Sequence, residues 1–290
     1  MSDTQYLAAK TIDEAVNAHE KANGTARFLA GGTDLLVQIK SGIRKPNLVI
    51  DIKKIVELNS INEISDGEFE IGASVSGANL NRNSKFAKLW PGVLEAFRLI
   101  GSEQIQGRAS LGGNLCNGSP AGDSVPALIA AGCKAVIAGP KGRKDVPIEN
   151  FHLGPGKTVL ENGEMLVSLK FPKRVSNSAD AYLRMTPRTE MDIAVVGCGV
   201  NISLENDICT HARVSLGAVA PTPLLIKEAS DIMVGSKLDD DTLNRVSKMC
   251  MDACNPINDK RGTIDYRTKV AGVLFKRATK LATDRIGGNK

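Results

Sequence analysis

The sequence is poor in aromatic residues and has no long apolar run. Phe, Trp and Tyr make up 4% of its 290 residues, so the aromatic stacking platform of single-strand nucleic-acid binders is missing. Its 37 Lys and Arg and 32 Asp and Glu residues are spread along the whole chain. This is typical of a solvated surface rather than of a clustered nucleic-acid footprint. No apolar run approaches the length of a membrane span. The composition therefore predicts no nucleic-acid partner and no membrane span.

Motifs for metal binding are missing as well. The six cysteines are scattered without a C-x-x-C pair, and the three histidines lie in unrelated contexts. Local spacing therefore builds neither a zinc site nor an iron–sulfur cluster. We expect reduced, mostly buried thiols, no metal site and no catalytic residue. The N-terminus has no basic region followed by an apolar one, which predicts a cytoplasmic location.

The chain is rich enough in apolar residues to form a sizeable core. It is 42% hydrophobic and 24% charged, and its length favours two domains or one large one. The capping box at Thr11 and Glu14 begins a helix, and a strand RFLA, a glycine turn and a helix TDLLVQIKSG follow. Further patterns predict strands at Asn47–Ile52 and Phe69–Ser76, and a helix over Lys85–Ile100 with a break near Pro91.

The second half of the chain has a different organisation. Residues 173–180 are polar and poor in apolar side chains, which predicts a linker. Beyond it, residues 181–220 predict a small antiparallel sheet, and two amphipathic helices close the chain at about 240–253 and 264–283. Strands followed by helices are typical of an α+β domain.

Two glycine turns carry the functional signal, AGGTD at Ala30–Asp34 and SLGGN at Ser110–Asn114. Glycine lets a backbone approach a ligand closely, and successive backbone N–H groups in such turns bind anions. The first turn opens a predicted helix, whose N-terminus also favours a phosphate. The pair indicates a dinucleotide pyrophosphate, with two ordinary turns as the alternative. GPGKT at 154–158 lacks the first glycine of a P-loop and is interpreted as a surface turn.

Four segments in a fixed order carry a resemblance to a known family. They are AGGTDLL, SLGGNLCNGSPAGDSVPAL, ENGEMLVSLKFP and YLRMTPRTEMDIAVV. Their order resembles the FAD-binding medium subunit of the xanthine dehydrogenase and carbon monoxide dehydrogenase family of molybdenum hydroxylases. The resemblance implies an α+β fold: a FAD-binding domain of the vanillyl-alcohol-oxidase (PCMH) type over 1–172 and a C-terminal flavoprotein domain over 181–290. The first domain is expected to have two subdomains that meet near 55–60.

The resemblance also implies a set of FAD-binding residues, in which the glycine segments wrap the pyrophosphate. They are Ala30, Gly31, Gly32, Thr33, Asp34, Leu35, Ser110, Leu111, Gly112, Gly113, Asn114, Ser119, Asp123, Leu166, Arg184 and Arg188. Asn114 and Ser119 are equally interpreted as turn caps. Asp123 is expected to contact the flavin or its ribityl chain, or else to cap the following helix.

Three of these residues are expected near the flavin ring. Leu166 would pack near the isoalloxazine, or belong to a strand core. Arg184 and Arg188 would lie beside the flavin, where a cation stabilises its anionic reduced form. The alternative for both arginines is an ordinary surface charge.

The resemblance further implies partners. In this family a large subunit oxidises the substrate at a molybdenum cofactor, and a small subunit carries two [2Fe-2S] clusters that pass electrons to FAD. The chain would be the electron-transfer subunit of such an oxidoreductase, in a heterohexamer of two heterotrimers, with NAD, a quinone or oxygen as acceptor. A stand-alone flavin oxidase is an alternative, weakened by the absence of a recognisable His or Cys for covalent flavin attachment. A flavin-free adaptor is another, and the intact glycine segments argue against it.

Overall fold

The first structural unit of the chain is a small parallel sheet. The structure is a computed structural model that describes residues 4–288. The unit contains β1 (Gln5–Ala8), α1 (Ile12–Lys21), β2 (Ala26–Leu29), α2 (Leu35–Lys40) and β3 (Leu48–Asp51). The strands are parallel, in the order β1-β3-β2. Thr11 Oγ1 accepts a hydrogen bond from the Glu14 N–H at 3.1 Å, so α1 begins at the predicted cap.

A larger unit of helices and antiparallel strands follows. Its elements are β4 (Ile61–Ser65), β5 (Glu68–Gly72), α3 (Gly77–Arg82), α4 (Ser84–Leu89), α5 (Pro91–Arg98), α6 (Glu103–Gln106), α7 (Leu111–Asn117), α8 (Ser124–Ala130), β6 (Lys134–Gly139), β7 (Gly142–Pro147), β8 (His152–Gly154), β9 (Lys157–Thr158) and β10 (Met165–Phe171). Five strands form an antiparallel sheet in the order β4-β5-β10-β6-β7. One-turn 3₁₀ helices occur at Glu57–Asn59 and Ile148–Asn150.

Strands β6 and β10 of the five-stranded sheet are buried on both faces, which explains the apolar run of β6. Ala135 and Ile137 pack with the helices of the larger unit. Val136 and Ala138 point the other way and pack with the first unit. Because successive side chains of a strand point to opposite faces, a strand covered on both sides is apolar throughout.

Two sequence expectations need correction in this unit, and one is confirmed. The strand predicted over Phe69–Ser76 ends at Gly72, since the chain turns there toward α3. The segment SLGGN is predicted to be a glycine turn, but residues from Leu111 onward form α7, because the Ser110 side chain caps this helix. The break predicted near Pro91 is present, as α4 ends at Leu89 and Pro91 begins α5.

The C-terminal unit is an antiparallel sheet that is covered on one face by its own helices and on the other by α8. It contains β11 (Ser178–Met185), β12 (Val196–Glu205), β13 (Ile208–Gly217), β14 (Leu224–Leu225), α9 (Lys227–Met233), α10 (Asp240–Asp252) and α11 (Ile264–Gly288). The strand order is β11-β12-β13-β14, and the apolar face packs with α10 and α11. The other face lies against α8, where an added Cβ at Gly199 would lie 2.7 Å from the Pro126 carbonyl oxygen. The sheet and the two closing helices agree with the predicted α+β organisation.

The polar stretch at 173–180 is tied into the interior rather than free. The Arg174 guanidinium lies 4.3 Å above the Trp90 ring, and its Nη2 is 3.3 Å from Asp180 Oδ1. Both charged side chains are more than nine-tenths buried, and β11 begins within this stretch. Among the helices of residues 4–288, none combines the length and apolarity that crossing a bilayer demands.

Candidate functional site

A cavity of about 680 Å³ lies where the first unit meets α7 and β10. This volume falls within the range of small-molecule sites in proteins. Both glycine segments line it. The predicted site residues in its lining are Ala30, Gly31, Gly32, Thr33, Asp34, Leu35, Ser110, Gly112, Gly113, Asn114 and Leu166.

Glycine is required in these segments mainly because the backbones touch other parts of the protein. A Cβ on Gly31 would lie 1.9 Å from the carbonyl oxygen of Arg108, so this glycine allows the two segments to meet. A Cβ on Gly112 would lie 2.5 Å from the carbonyl oxygen of Ala73. Gly113 differs, because an added Cβ there would meet only Ser110 Oγ, at 3.1 Å. Of these three glycines, Gly113 is the one that leaves free space beside the cavity.

The first glycine segment presents a run of free backbone donors. Within residues 4–288, none of the N–H groups of residues 31–35 donates a hydrogen bond. They lead into α2, whose first turn is closed by the Leu36 N–H and the Gly32 carbonyl at 3.1 Å. Successive free N–H groups at the start of a helix form a concave anion site. This part of the cavity is therefore suited to a phosphate or pyrophosphate.

Three cationic side chains are among the residues that line the cavity. Arg27, Arg44 and Lys157 line it, and burial and the nearby Arg44 lower the pKa of Arg27. The His19 ring stacks on Phe28 with 4.5 Å between centroids. Burial and then Arg27 lower the pKa of His19, and its Nδ1 accepts the Gly163 N–H at 3.0 Å, so His19 is neutral at pH 7.

Apolar side chains also line the cavity. They are Ile52, Ala73, Ile100, Ala109, Met165 and Leu166. The position of Leu166 agrees with either expectation for it, because it lines the cavity and also belongs to the core. Burial raises the pKa of Asp34, which lines the cavity as part of the glycine segment. A ligand with both an anionic part and an apolar part fits this lining.

Sequence reasoning missed several lining residues. Gly156, Lys157 and Thr158 line the cavity although GPGKT was interpreted as a surface turn. The Gly156 N–H donates to the Gly118 carbonyl at 2.8 Å and holds this turn against the end of α7. The lysine that follows this glycine turn is the sequence feature that could have indicated an anion site. No local pattern indicates that the residues around His19 line the cavity, because the parallel sheet brings them together from separate parts of the chain.

Five predicted site residues do not line the cavity. Leu111 is buried in the core, and Ser119 Oγ accepts the Ala121 N–H at 3.2 Å as a turn cap. Arg188 is exposed, and its Nη2 donates to the Met191 carbonyl. The other two, Asp123 and Arg184, bond to each other.

Asp123 connects the first domain to the C-terminal sheet. Its Oδ2 accepts from Arg184 Nη1 at 2.8 Å and its Oδ1 accepts from the Tyr182 hydroxyl at 3.0 Å. The Asp123 and Arg184 side chains are 8% and 3% exposed. Burial raises the pKa of Asp123 to about 6, although Arg184 and Tyr182 act in the opposite direction. Asp123 stands at the N-cap position directly before α8, but its side chain makes no capping hydrogen bond, so that alternative is wrong.

The cavity also contains a histidine and a cysteine, contrary to expectation. Cys116 is exposed and lines the cavity together with His19. All six cysteines are free thiols, and Cys133, Cys198, Cys209 and Cys250 are buried. The absence of such residues near a flavin is therefore no longer an argument against covalent attachment.

The fold and the cavity define a dinucleotide-binding protein with an additional C-terminal domain. Residues 2–174 match the family described as FAD binding domain in molybdopterin dehydrogenase. Residues 181–282 match the CO dehydrogenase flavoprotein C-terminal domain. The chain belongs to this family of FAD-binding subunits of molybdopterin-dependent oxidoreductases. The predicted family, fold class, enzyme class and cofactor are confirmed.

Relatives match over almost their whole length. The chain is 31% identical to the xanthine dehydrogenase FAD-binding subunit of Escherichia coli O157:H7, covering 98% of this chain and 97% of that protein. It is 32% identical to the carbon monoxide dehydrogenase medium chain of Hydrogenophaga pseudoflava, covering 97% of each. The solved structure of carbon monoxide dehydrogenase from Hydrogenophaga pseudoflava superimposes with a TM-score of 0.93 at 32% identity, again over 97% of each chain.

Proposed function

We propose that this chain binds FAD as the electron-transfer subunit of a heteromeric molybdenum hydroxylase. It would receive electrons from the iron–sulfur clusters of a partner subunit and pass them to an external acceptor. The observation that carries the proposal is the cavity at the meeting point of the two glycine segments, in a chain whose family binds FAD. FAD, when bound, supplies the electron-carrier chemistry, and the protein supplies binding, orientation and exclusion of water.

The described residues fit this cofactor. The free N–H groups of residues 31–35 would hold the pyrophosphate, with Arg27, Arg44 and Lys157 adding positive charge. The apolar side chains of the lining, among them Leu166 and Ile100, would contact the isoalloxazine ring. Gly113 gives the backbone of α7 close access to the ligand, because no side chain fills the space there.

We further propose the partners that this role requires. They are a large subunit with the molybdenum cofactor and a small subunit with two [2Fe-2S] clusters, assembled as two heterotrimers. The relatives support this, since one is called a medium chain and another an FAD-binding subunit. The substrate would be selected by the large subunit. Co-purification of the chain with both partners in equal amounts tests the assembly, and a chain that purifies alone contradicts it.

The first experiment is to identify the cofactor. The chain is purified under native conditions, its flavin absorption is recorded, and the cofactor released by denaturation is identified by chromatography. We expect FAD at about one molecule per chain, fully released. A chain that neither contains FAD nor binds it on titration would instead be a flavin-free adaptor.

A stand-alone flavin oxidase remains a second candidate because Cys116 and His19 line the cavity. Covalent attachment would leave flavin absorption on the denatured protein. Cys116→Ser and His19→Gln would then identify the attachment residue, since only the responsible substitution would release the flavin. Complete release from the unaltered chain contradicts covalent attachment.

A further inference from the structure

A turn of the larger unit is hydrogen-bonded to the first unit where both line the cavity proposed to bind FAD. The turn comprises residues 161–164, directly before β10. Its Asn162 lines the cavity, and so do His19 of α1 and Gly24, which follows α1. This part of the cavity wall is therefore built by two structural units together, and its shape depends on the contact between them.

Three hydrogen bonds make this contact. Asn162 forms two of them, since its Oδ1 accepts from the Gly24 N–H at 3.1 Å and its Nδ2 donates to the Glu20 carbonyl at 3.1 Å. The third is donated by the Gly163 N–H to Nδ1 of His19 at 3.0 Å. A Cβ on Gly163 would lie 3.1 Å from the Glu20 Cβ, so the turn lies closely against α1.

The bond to His19 is the one of the three that depends on the protonation of a side chain. A backbone N–H can only donate, so Nδ1 has a free lone pair and the proton of the neutral ring is on Nε2. A protonated imidazole carries an N–H at both nitrogens. Two donors would then face each other at 3.0 Å, and the bond would be lost. The two bonds of Asn162 involve no titrating group and would remain.

A second half-buried histidine has the opposite requirement. Nε2 of His152, next to the cavity-lining Leu153, lies 2.7 Å from the Leu115 carbonyl oxygen. A carbonyl can only accept, so this nitrogen carries the proton. Because imidazolium keeps that proton, the bond of His152 survives protonation. Of these two histidines, His19 is therefore the one whose contact is sensitive to acid.

The surroundings of His19 also disfavour a proton. Burial, and then the positive charge of Arg27 in β2, lower the pKa of His19 below its ordinary value of 6.5. The Glu164 carboxylate is paired with Lys144 Nζ at 2.6 Å. The carboxylates on the elements that form the contact are those of Glu20, Glu161 and Glu164. His19 is thus neutral near pH 7, and the contact is complete there.

We infer that His19 is a positioning residue for FAD: its neutral ring holds the turn against the first unit, and a proton on Nδ1 releases the turn and weakens FAD binding. This inference rests on the proposed function. When the contact is formed in advance, the cofactor enters a cavity whose wall is already in place. When the contact is lost, binding must order the turn as well, and this ordering costs affinity.

An opposite effect of acid is expected if His19 contacts the cofactor directly. A protonated imidazole beside the pyrophosphate would form a charge-assisted hydrogen bond and strengthen FAD binding at low pH. The geometry favours the positioning role, because Nδ1 is occupied by the Gly163 N–H. The ring is also fixed by stacking on Phe28, with 15° between the ring planes. The two roles predict opposite signs and are separated by one measurement.

That measurement is the pH dependence of FAD binding. The full chain, freed of FAD, is titrated with FAD from about pH 8 to 5, the range in which histidine changes its charge. Flavin fluorescence gives the Kd. The comparison variant is His19→Asn, whose Oδ1 can replace Nδ1 as an acceptor but does not titrate. As the pH falls, we expect the Kd of the unaltered chain to rise at least about 10-fold more than that of His19→Asn, about the effect of one lost hydrogen bond. Asp34 and Asp123 titrate in both chains, so the ratio of the two Kd values isolates His19.

Two further variants serve as controls. His152→Gln keeps a donor for the Leu115 carbonyl and should show the same pH dependence as the unaltered chain. Asn162→Ala removes the two bonds that do not titrate, so it should raise the Kd for FAD by a similar factor at every pH. Circular dichroism at each pH restricts the comparison to conditions in which all chains are folded.

The outcomes separate this inference from the proposed function. A chain that binds no FAD at pH 8 would refute the proposed function. If FAD binds at pH 8, equal pH dependence in the unaltered chain and His19→Asn would overturn only the role of His19. Relatively tighter binding by the unaltered chain at low pH would overturn it too and would make His19 a direct phosphate ligand. Normal FAD binding by Asn162→Ala would show that the contact does not support the cofactor.

Discussion

The two glycine segments have similar sequences but different roles in the structure. In the first segment none of the N–H groups of residues 31–35 donates a hydrogen bond to the described part of the chain, residues 4–288. In the second segment the Gly113 N–H donates to Ser110 Oγ, and the Asn114 N–H donates to the Ser110 carbonyl, both at 3.0 Å. Ser110 is responsible for this difference, because it begins a regular helix with a side-chain cap. The first segment is thus suited to bind an anion, whereas the second forms part of the wall behind it.

The glycines at the contact between the segments serve packing rather than ligand binding. Gly31 lies against the backbone at Arg108, directly before the second segment, and Gly112 lies against Ala73. Both contacts are with carbonyl oxygens, which cannot move without moving the chain. A glycine-rich motif can therefore shape a cavity by allowing close backbone contacts between the segments that surround it.

The largest effect is expected from Gly31→Ala. Because the new Cβ would lie 1.9 Å from the Arg108 carbonyl oxygen, the segments must separate, at a cost of about 3 kcal/mol or more in the free energy of unfolding. Gly154→Ala is the control, since a Cβ there has no neighbour within 4 Å. Urea unfolding monitored by circular dichroism measures both. Equal midpoints for the two variants would show that the segments do not need their close contact.

Gly113→Val should separate FAD binding from folding. Its side chain would enter the space beside the cavity while meeting only the flexible end of Ser110, so we expect at least a 100-fold rise in the Kd for FAD. This corresponds to about 2.7 kcal/mol of binding free energy. FAD titration gives the Kd, and circular dichroism checks the fold. Gly287→Val in α11 places the same substitution in a helix with open space and should bind FAD normally. Full FAD binding by Gly113→Val would contradict the close approach of the cofactor to α7.

Sequence patterns predicted the elements well where the signal is local. The cap at Thr11, the break at Pro91 and the antiparallel sheet after 180 all depend on neighbouring residues. The order of four motifs identified the family and the two glycine segments that line the cavity. What the sequence could not show is which N–H groups are used internally, because this depends on how Ser110 is oriented. Nor could it place Asp123 and Arg184, whose ion pair forms only when a helix and a distant strand pack together.

Asp123 provides a second contrast with Ser110, because it stands at the start of α8 without capping it. Burial raises its pKa from 3.8 to about 6, so between these pH values the native chain binds more protons than the unfolded chain. Stability from this group is therefore fully present below about pH 4 and is lost as the pH rises to about 6, by at most about 3 kcal/mol. Urea midpoints of the unaltered chain and Asp123→Asn are compared from pH 4 to 7. The urea midpoint of the unaltered chain relative to that of Asp123→Asn should fall as the pH rises. A midpoint difference that is the same at every pH would show that Asp123 stays ionised throughout.

The smallest effect is expected from Ser110→Ala, and it tests the division of roles most directly. Loss of the cap should cost about 1 kcal/mol of stability. Thr11→Ala removes the equivalent cap of α1, which lies outside the cavity lining, and should cost a similar amount. If the second segment is mainly a wall, Ser110→Ala should change the Kd for FAD less than 10-fold. The substitution only removes the acceptor of the Gly113 N–H and leaves this part of the wall in place. A loss of FAD as large as that from Gly113→Val would mean instead that the Ser110 hydroxyl itself binds the cofactor, and that both segments hold it equally.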